Sequence, residues 1–224
     1  MRTDPSLAFE RELWKGGFCH IAGLDEAGRG ALAGPVAVGA VILPNDPHLL
    51  SHSKSSKNNL LRGVRDSKQM TPLERESAAV RIIEIALTWG VGFASSEEID
   101  SEGIVRATRL AALRAVQELA MWPEYLLTDF RLELPQLDIS QTSIVKGDAL
   151  CLSIAAASVL AKTARDACMR EMDAQAPGYG LGKHKGYGTS AHRLALRELG
   201  YSPIHRRTFV LKENGKNLTR DKLR

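Results

Sequence analysis

Long apolar runs are absent from this sequence, because no stretch approaches the roughly 18 unbroken apolar residues of a membrane-spanning helix. The first residues also lack the apolar core of a secretory signal peptide. Cysteine is scarce: Cys19, Cys151 and Cys168 form no C-x-x-C pair, and an odd number cannot pair completely. A disulfide framework and a cysteine zinc site are therefore disfavoured. Together these absences predict a soluble, cytoplasmic protein with reduced thiols and no membrane contact.

The charge of the chain is modest in total but unevenly distributed. The 224 residues are 44% hydrophobic and 25% charged, with a formal net charge of +4, a composition typical of a soluble protein that buries its own core. Residues 205–224 contain seven Lys or Arg against Glu213 and Asp221. We therefore expect one domain over residues 1–200 and a basic tail over residues 201–224. The tail has the charge to bind a polyanion such as a nucleic acid, and the alternative is that it is only a solvated chain end. A monomer is the default expectation.

Apolar segments predict the strands of an α/β fold. Residues 18–24 and 36–43 are apolar runs of the buried-strand type, and about ten residues separate them, too few for a helical crossover. These two strands should therefore be antiparallel. Further strands are expected at residues 90–94, 125–128 and 142–145.

Capping residues and apolar periodicity predict the helices. Thr71 and Glu74 form a capping-box pattern that begins a helix ending near residue 88. A second helix, capped by Ser96, should continue to about residue 120 with one apolar face. Residues 149–170 predict a helix rich in small side chains, which allows close approach to the sheet. Short helices are also expected over residues 7–14 and 190–199, and a surface loop over residues 44–62.

Four carboxylates lie at strand ends or at a helix start rather than on a solvated face. Asp25 and Glu26 follow the first predicted strand, Asp129 follows the strand at 125–128, and Asp148 precedes the small-residue helix. Neighbours in a regular strand point to opposite faces, so Asp25 and Glu26 can serve one site only if the chain curls at the following glycines. Carboxylates without Cys or His favour Mg²⁺ or Mn²⁺ over zinc, and four of them suggest two ions. The alternatives are solvated acids in a strand-end turn and, for Asp148, a plain N-cap.

A glycine-rich segment near the carboxyl end combines cations with aromatic rings. Residues 177–189 contain five glycines, with lysines and tyrosines between them and no acid. His184 follows Lys183 where a phosphate-binding P-loop requires Ser or Thr, so that motif fails. Lysines suit phosphates and tyrosines suit bases or sugars, which favours a nucleic-acid loop over a plain flexible segment.

Several of these segments resemble the type 2 ribonuclease H family, ribonuclease HII. The first is Gly-Leu-Asp-Glu-Ala-Gly-Arg-Gly at 23–30, followed by Ala-Gly-Pro-Val at 33–36. The second runs from Lys-Gly-Asp at 146–148 to Arg-Asp at 165–166, and the third is His-Lys-Gly-Tyr-Gly-Thr at 184–189. Asp-Ser-Lys at 66–68, just before a helix, also matches, so the resemblance spans most of residues 18–209.

The resemblance implies an α/β, ribonuclease H-like fold: a mixed central β-sheet of three antiparallel strands followed by parallel ones, flanked by helices, with a helical C-terminal extension. It implies an endoribonuclease that hydrolyses the RNA strand of RNA–DNA hybrids and cuts duplex DNA at embedded ribonucleotides, leaving 3′-hydroxyl and 5′-phosphate ends. Two Mg²⁺ or Mn²⁺ ions would be held by the catalytic acids Asp25, Glu26, Asp129 and Asp148. The substrate contacts expected here are Gly28, Arg29, Gly30, Lys68, Lys146, Lys183, His184, Lys185 and Tyr187.

Two carboxylates need separate interpretation. Asp129 is followed by Phe130-Arg131-Leu132, where family members usually have a glycine-type turn. Asp166 lies well inside a predicted helix beside Arg165, several turns from Asp148, and is expected to form a structural salt bridge.

Two other functions are compatible with such a chain. A catalytically silent hybrid-binding protein could use the basic loop and tail, but it would not need four carboxylates. A DNA-cutting nuclease or integrase of the same fold is disfavoured by the Gly-Arg-Gly and Gly-Tyr-Gly-Thr segments.

Overall fold

The computed structural model describes residues 4–46, 61–130, 132–209, 212–213 and 216–217. Its strands are β1 (Ile21–Ala27), β2 (Val36–Ile42), β3 (Thr88–Ala94), β4 (Tyr125–Asp129), β5 (Ser140–Ile144), β6 (Lys212–Glu213) and β7 (Lys216–Asn217). Its helices are α1 (Ala8–Lys15), α2 (Pro72–Ile85), α3 (Ser96–Glu102), α4 (Ile104–Gln117), α5 (Gly147–Leu150), α6 (Leu152–Gln175), α7 (Leu181–His184) and α8 (Ser190–Leu199). A 3-10 turn, Ser67–Gln69, precedes α2.

The main sheet is mixed, with the strand order β3-β2-β1-β4-β5. β1 pairs antiparallel with β2, and β2 with β3, whereas β4 runs parallel to both β1 and β5. The antiparallel pairing of the first two strands is confirmed, because residues 28–35 are too few to cross over the sheet. The predicted arrangement of three antiparallel strands followed by parallel ones is also confirmed.

Helices cover both faces of this sheet, and β2 shows how its side chains are divided between them. Val36, Val38 and Ile42 point to one face and pack in a core with apolar residues of α4. Val41 points to the other face and packs in a core with apolar residues of α6. A strand that is buried on both faces must be apolar at every position, which explains the unbroken apolar run of β2.

The helix α6 lies unusually close to β1 and β2, as its small residues predict. A Cβ atom on Gly23 of β1 would lie 2.3 Å from the carbonyl carbon of Ser153. A Cβ atom on Gly39 of β2 would lie 2.3 Å from the carbonyl oxygen of Ala157. Glycine on the strands and small side chains on the helix together permit this approach. The predicted packing of the small-residue helix on the sheet is confirmed.

Several predicted element boundaries are wrong. β1 continues to Ala27, so the two acids lie within the strand rather than after it. The helix after β3 is capped by Ser95 rather than Ser96, and Gly103, with φ of 78°, divides it into α3 and α4. Ala86 has the extended ψ of 139° and ends α2 before residue 88, because β3 already begins at Thr88. Cys151 also has an extended backbone, with ψ of 126°, and it separates the short helix α5 from α6, which begins at Leu152.

Parts of two predicted segments lie outside the described residues. These are residues 47–60 of the surface loop and, in the tail, residues 210–211, 214–215 and 218–224. The domain boundary at residue 200 stays a prediction. Within the described part of the chain, no helix has the length and apolar character needed to cross a bilayer.

Candidate active site

The sheet opens at the point where its acids lie. The parallel pairing of β1 with β4 ends at Leu24 and Thr128, whereas β1 stays paired with β2 as far as Ala27. Asp25 and Glu26 therefore lie on a stretch of β1 with an open edge toward β4. Asp129, the last residue of β4, faces the same opening, which is where open α/β sheets place functional groups.

The structure brings three of the four predicted acids together. Asp25, Glu26 and Asp129 each offer one carboxylate oxygen, and these oxygens lie within 4.8 Å of one another. Asp25 and Glu26 are neighbours on β1, which stays paired with β2 as far as Ala27, so both carboxylates reach the cluster from within the strand. Gly28 has φ of 87°, a left-handed conformation that glycine adopts without steric strain, and it turns the backbone after the strand ends.

Hydrogen bonds from neighbouring elements hold two of these carboxylates in place. The amide N–H of Gly147 donates to Asp129 Oδ1 at 2.7 Å. The hydroxyl of Ser158, on α6, donates to Asp25, and Ser158 Oγ lies 2.8 Å from Ser67 Oγ. The acids at the end of the sheet are thus connected to α6 and to the turn before α2.

The electrostatics of the three acids favour a bound cation. Burial, together with the charge of Glu26, raises the pKa of Asp25 well above its ordinary value. Burial and the charge of Asp129 raise the pKa of Glu26. The guanidinium group of Arg29 opposes this shift, with its Nη1 3.8 Å from Glu26 Oε1. Asp25 Oδ2 and Glu26 Oε2 are buried and have no hydrogen-bond partner among the described residues. Clustered buried carboxylates with unpartnered oxygens are the donor set that Mg²⁺ or Mn²⁺ takes.

Asp148 lies beside this cluster rather than within it. Lys68 Nζ lies 3.4 Å from Asp148 Oδ2 and 4.0 Å from Asp66 Oδ1. Partial burial by itself would lower the pKa of Lys68. The negative charges of Asp25, Asp148 and Asp66 outweigh this effect, so the pKa of Lys68 is raised above its ordinary value. The alternative of Asp148 as a plain N-cap is wrong, because Lys146 occupies the N-cap of α5 and no side chain caps that helix.

A cleft of about 470 Å³ adjoins the cluster and contains many of the predicted substrate residues. Its wall joins the turn after β1 to the start of α2, the middle of α6 and the loop after α7. Glu26 lines it, so the cleft reaches the acids. The predicted substrate residues that line it are Gly28, Arg29, Gly30, Lys68 and Tyr187.

Four other predicted substrate residues do not line this cleft. Lys146 and Lys183 are exposed elsewhere on the surface. His184 turns inward, with Nε2 2.8 Å from the carbonyl oxygen of Tyr179 and its ring stacked on His192 at 4.4 Å. The ammonium group of Lys185 donates to the carbonyl oxygen of Gly182.

Two buried arginines, to which the sequence assigned no role, hold the backbone segments around the cleft. Arg165 donates to the carbonyl oxygens of Pro35, Lys185 and Ala33 at 2.8 to 3.1 Å. Arg206 donates to those of Gly34, Arg29 and Gly28 at 2.8 to 2.9 Å. Burial, together with the charge of Arg165, lowers the pKa of Arg206 to about 9. Arg165 lies in the second segment that resembles the family, but that match indicates no role for it, and Arg206 has no sequence signal, since an arginine that satisfies distant carbonyl groups resembles any surface arginine.

Asp166 forms the structural salt bridges that its position predicts. Its carboxylate lies 3.2 Å from Arg75 Nη2 and 2.7 Å from Lys162 Nζ. Both partners line the cleft, so this ion-pair network fixes part of its wall.

Comparisons with known proteins give one consistent family. Residues 22–212 match the family described as Ribonuclease HII. The chain is 51% identical over 206 residues to the ribonuclease HII of Dehalococcoides mccartyi, which covers 92% of this chain and 93% of that relative. It is 48% identical over 208 residues to the ribonuclease HII of Moorella thermoacetica, and the alignment covers 93% of this chain and 95% of that relative.

Solved structures agree with the sequence relatives. The ribonuclease H2 of Pyrococcus horikoshii OT3 is similar with a TM-score of 0.63 at 25% identity, covering 85% of this chain and 93% of that one. The structure described as the PCNA:RNase HII complex from Archaeoglobus fulgidus is similar, with a TM-score of 0.68 at 25% identity. The match covers 87% of this chain and 97% of that one.

Proposed function

This chain belongs to the ribonuclease HII family and is therefore a hydrolase of the ribonuclease H type, and on that basis we propose which of its residues bind the metal ions and which bind the substrate. The general activity of such an enzyme is hydrolysis of RNA in RNA–DNA hybrids. The finer proposal is that the enzyme also cuts duplex DNA at embedded ribonucleotides, uses two divalent ions and leaves 3′-hydroxyl and 5′-phosphate ends.

The convergence of one buried and two partly buried carboxylates, two of whose oxygens lack a hydrogen-bond partner among the described residues, carries this proposal. Asp25, Glu26 and Asp129 would hold Mg²⁺ or Mn²⁺, with Asp148 completing a second site from beside the cluster. When bound, such ions activate water and stabilise the leaving 3′-oxygen of a phosphodiester. Lys68 binds Asp148 in this structure and is close enough to the cleft to contact a phosphate of the substrate.

The Gly-Arg-Gly turn would contact the ribose through its amide groups. The carbonyl oxygens of Gly28 and Arg29 already accept hydrogen bonds from Arg206, so the amide N–H groups are the better candidates for the 2′-hydroxyl. No atom of the described residues lies within 4 Å of the position that a Cβ atom on Gly30 would occupy, which allows a sugar to approach its backbone.

Replacement of Tyr187 by Ala is expected to reduce cleavage of a duplex with one ribonucleotide by roughly tenfold more than cleavage of a long RNA–DNA hybrid. The ring lines the cleft and is 37% exposed, so it can lie against a sugar while its hydroxyl reaches the 2′-oxygen. The measurement is kcat/KM on both substrates, together with the melting temperature.

Tyr187→Phe serves as the matched control because it keeps the ring and removes only the hydroxyl. A large drop in melting temperature for Tyr187→Ala, or equal losses on the two substrates, would show that Tyr187 only packs the loop.

The activity itself is tested with a labelled hybrid and a labelled duplex carrying one ribonucleotide, each incubated with Mg²⁺, Mn²⁺ or EDTA. We expect cleavage of both with either ion, none with EDTA, and products bearing 3′-hydroxyl and 5′-phosphate ends. Cleavage in EDTA would contradict the metal assignment, and an uncut single-ribonucleotide duplex would restrict the enzyme to hybrids.

A further inference from the structure

Tyr187 is held both by its own segment and by contacts from behind the cleft. Within the segment its amide N–H donates to the carbonyl oxygen of His184 at 3.0 Å, and its carbonyl oxygen accepts from the amide N–H of Thr189 at 2.8 Å. The residue lies between Gly186, with φ of 79°, and Gly188, and glycine imposes little restriction on the backbone. Its ring is nevertheless held in the cleft, 5.3 Å from Lys162 Nζ and 5.5 Å from Arg165 Cζ. The backbone of this segment is therefore fixed partly by its own turn and partly from outside, where the amide N–H of Leu32 donates to the carbonyl oxygen of Gly186 at 2.8 Å.

A directional chain of hydrogen bonds reaches Tyr187 from the residues after α8. The amide N–H of Ser202 donates to His205 Nδ1 at 3.1 Å, so that nitrogen must be unprotonated. The proton of a neutral His205 is then on Nε2, which lies 3.0 Å from His192 Nε2 and donates to it. His192 accordingly carries its proton on Nδ1 and donates to the carbonyl oxygen of Tyr187 at 3.1 Å. Each tautomer in this chain is determined by the preceding donor.

The surroundings keep this chain in its neutral form. Burial lowers the pKa of His192, and burial together with the charge of His192 lowers that of His205 to about 4. The other titratable groups packed against the pair are His184, which stacks on His192, and the rings of Tyr179 and Tyr201, which contact His205. At neutral pH both imidazoles are therefore uncharged, as the chain requires.

The same short segment also fixes the Gly-Arg-Gly turn. Arg206, the residue after His205, donates to the carbonyl oxygens of Gly28 and Arg29. Its amide N–H donates to the carbonyl oxygen of Leu32 at 2.9 Å. Two consecutive residues thus connect to the two segments that would contact a ribonucleotide.

We propose that His192 and His205 are positioning residues, which hold the backbone of Tyr187 so that its ring stands at a fixed distance from the Gly-Arg-Gly turn. The consequence for substrate choice rests on the proposed function of Tyr187. A single ribonucleotide offers one sugar to recognise, so its cleavage depends on this distance, whereas a long hybrid offers many equivalent sugars.

Two amide substitutions of His192 test this role. In His192→Asn the side-chain amide nitrogen reaches about as far as Nδ1 and can still donate to Tyr187. In His192→Gln the side-chain amide reaches about as far as Nε2, so its Oε1 can accept from His205 while the donor to Tyr187 is lost. Both variants carry a neutral amide at residue 192, which makes them matched in polarity.

The readouts are hydrogen–deuterium exchange of residues 185–189 and the ratio of kcat/KM on the single-ribonucleotide duplex to that on a long hybrid. For His192→Gln we expect exchange about fivefold faster and a ratio about fivefold lower, the usual effect of one lost hydrogen bond. His192→Asn should stay within about twofold of the wild type in both measurements.

Equal exchange in the Gln variant and the wild type, or equal changes in the Asn and Gln variants, would overturn the positioning role. Faster exchange in the Gln variant with an unchanged substrate ratio would support that role and contradict the proposed function of Tyr187.

Discussion

Asp25→Asn is expected to lower the rate of hybrid hydrolysis by roughly a thousandfold or more while leaving hybrid binding within a few-fold of the wild type. Asp25 is fully buried beside Glu26 and Asp129, so an amide there removes one charged ligand from the centre of the acidic cluster. Binding changes little because contacts with phosphates supply most of the affinity. Single-turnover cleavage and equilibrium binding in Ca²⁺ or EDTA measure the two effects separately.

The same substitution should stabilise the metal-free protein. The pKa of Asp25 is higher in the folded protein than in the unfolded chain. As the pH rises above the ordinary pKa, the unfolded chain therefore ionises more readily than the folded protein, and the free energy of unfolding decreases. The decrease continues until the pH passes the raised pKa of the folded protein. Asparagine removes this cost, so the melting temperature in EDTA should rise at pH 7. Glu84→Gln, an exposed substitution on α2, is the control and should change neither activity nor stability. Cleavage by Asp25→Asn at a near wild-type rate with Mg²⁺ would refute the assignment.

Gly23→Ala is expected to lower the free energy of unfolding by about 3 kcal/mol or more, because the added methyl group has no space. Its Cβ would lie 2.3 Å from the carbonyl carbon of Ser153 and 2.5 Å from the amide nitrogen of Ile154, both backbone atoms that cannot move independently. The helix α6 would have to move away from β1 and would carry Ser158 away from Asp25. For a chain of this length the melting temperature should fall by about 6 to 12 °C.

Gly30→Ala is the matched control within the same segment of chain. Within the part of the chain that the structure describes, nothing lies within 4 Å of its Cβ position, so the free energy of unfolding should change by no more than about 0.5 kcal/mol. Its methyl group would project into the cleft, so kcat/KM should fall although stability does not. A stable Gly23→Ala protein would mean that α6 does not pack as closely on β1 as described here.

Local signals in the sequence were sufficient for much of the fold. The capping box of Thr71 and Glu74 begins α2, since both of its hydrogen bonds connect residues three apart. The unbroken apolar run of β2 indicated a strand with both faces buried, and the short connection after β1 required an antiparallel pair. The break at Gly103 was missed because helical periodicity continues on both sides of it, while the positive φ depends on how α3 and α4 pack.

The sequence by itself determined the types of functional group: carboxylates at strand ends, glycines where the backbone must turn, and Tyr187 in a glycine-rich segment. These follow from residue chemistry and from contacts between residues close in the chain. Only the tertiary structure decided which groups meet: three acids in one cluster with Asp148 beside it, His184 turned away from the cleft, and Arg165 and Arg206 buried behind it. The physical reason is distance along the chain, because Arg206 bonds to carbonyl groups more than 170 residues earlier, and such a pairing exists only in the folded chain.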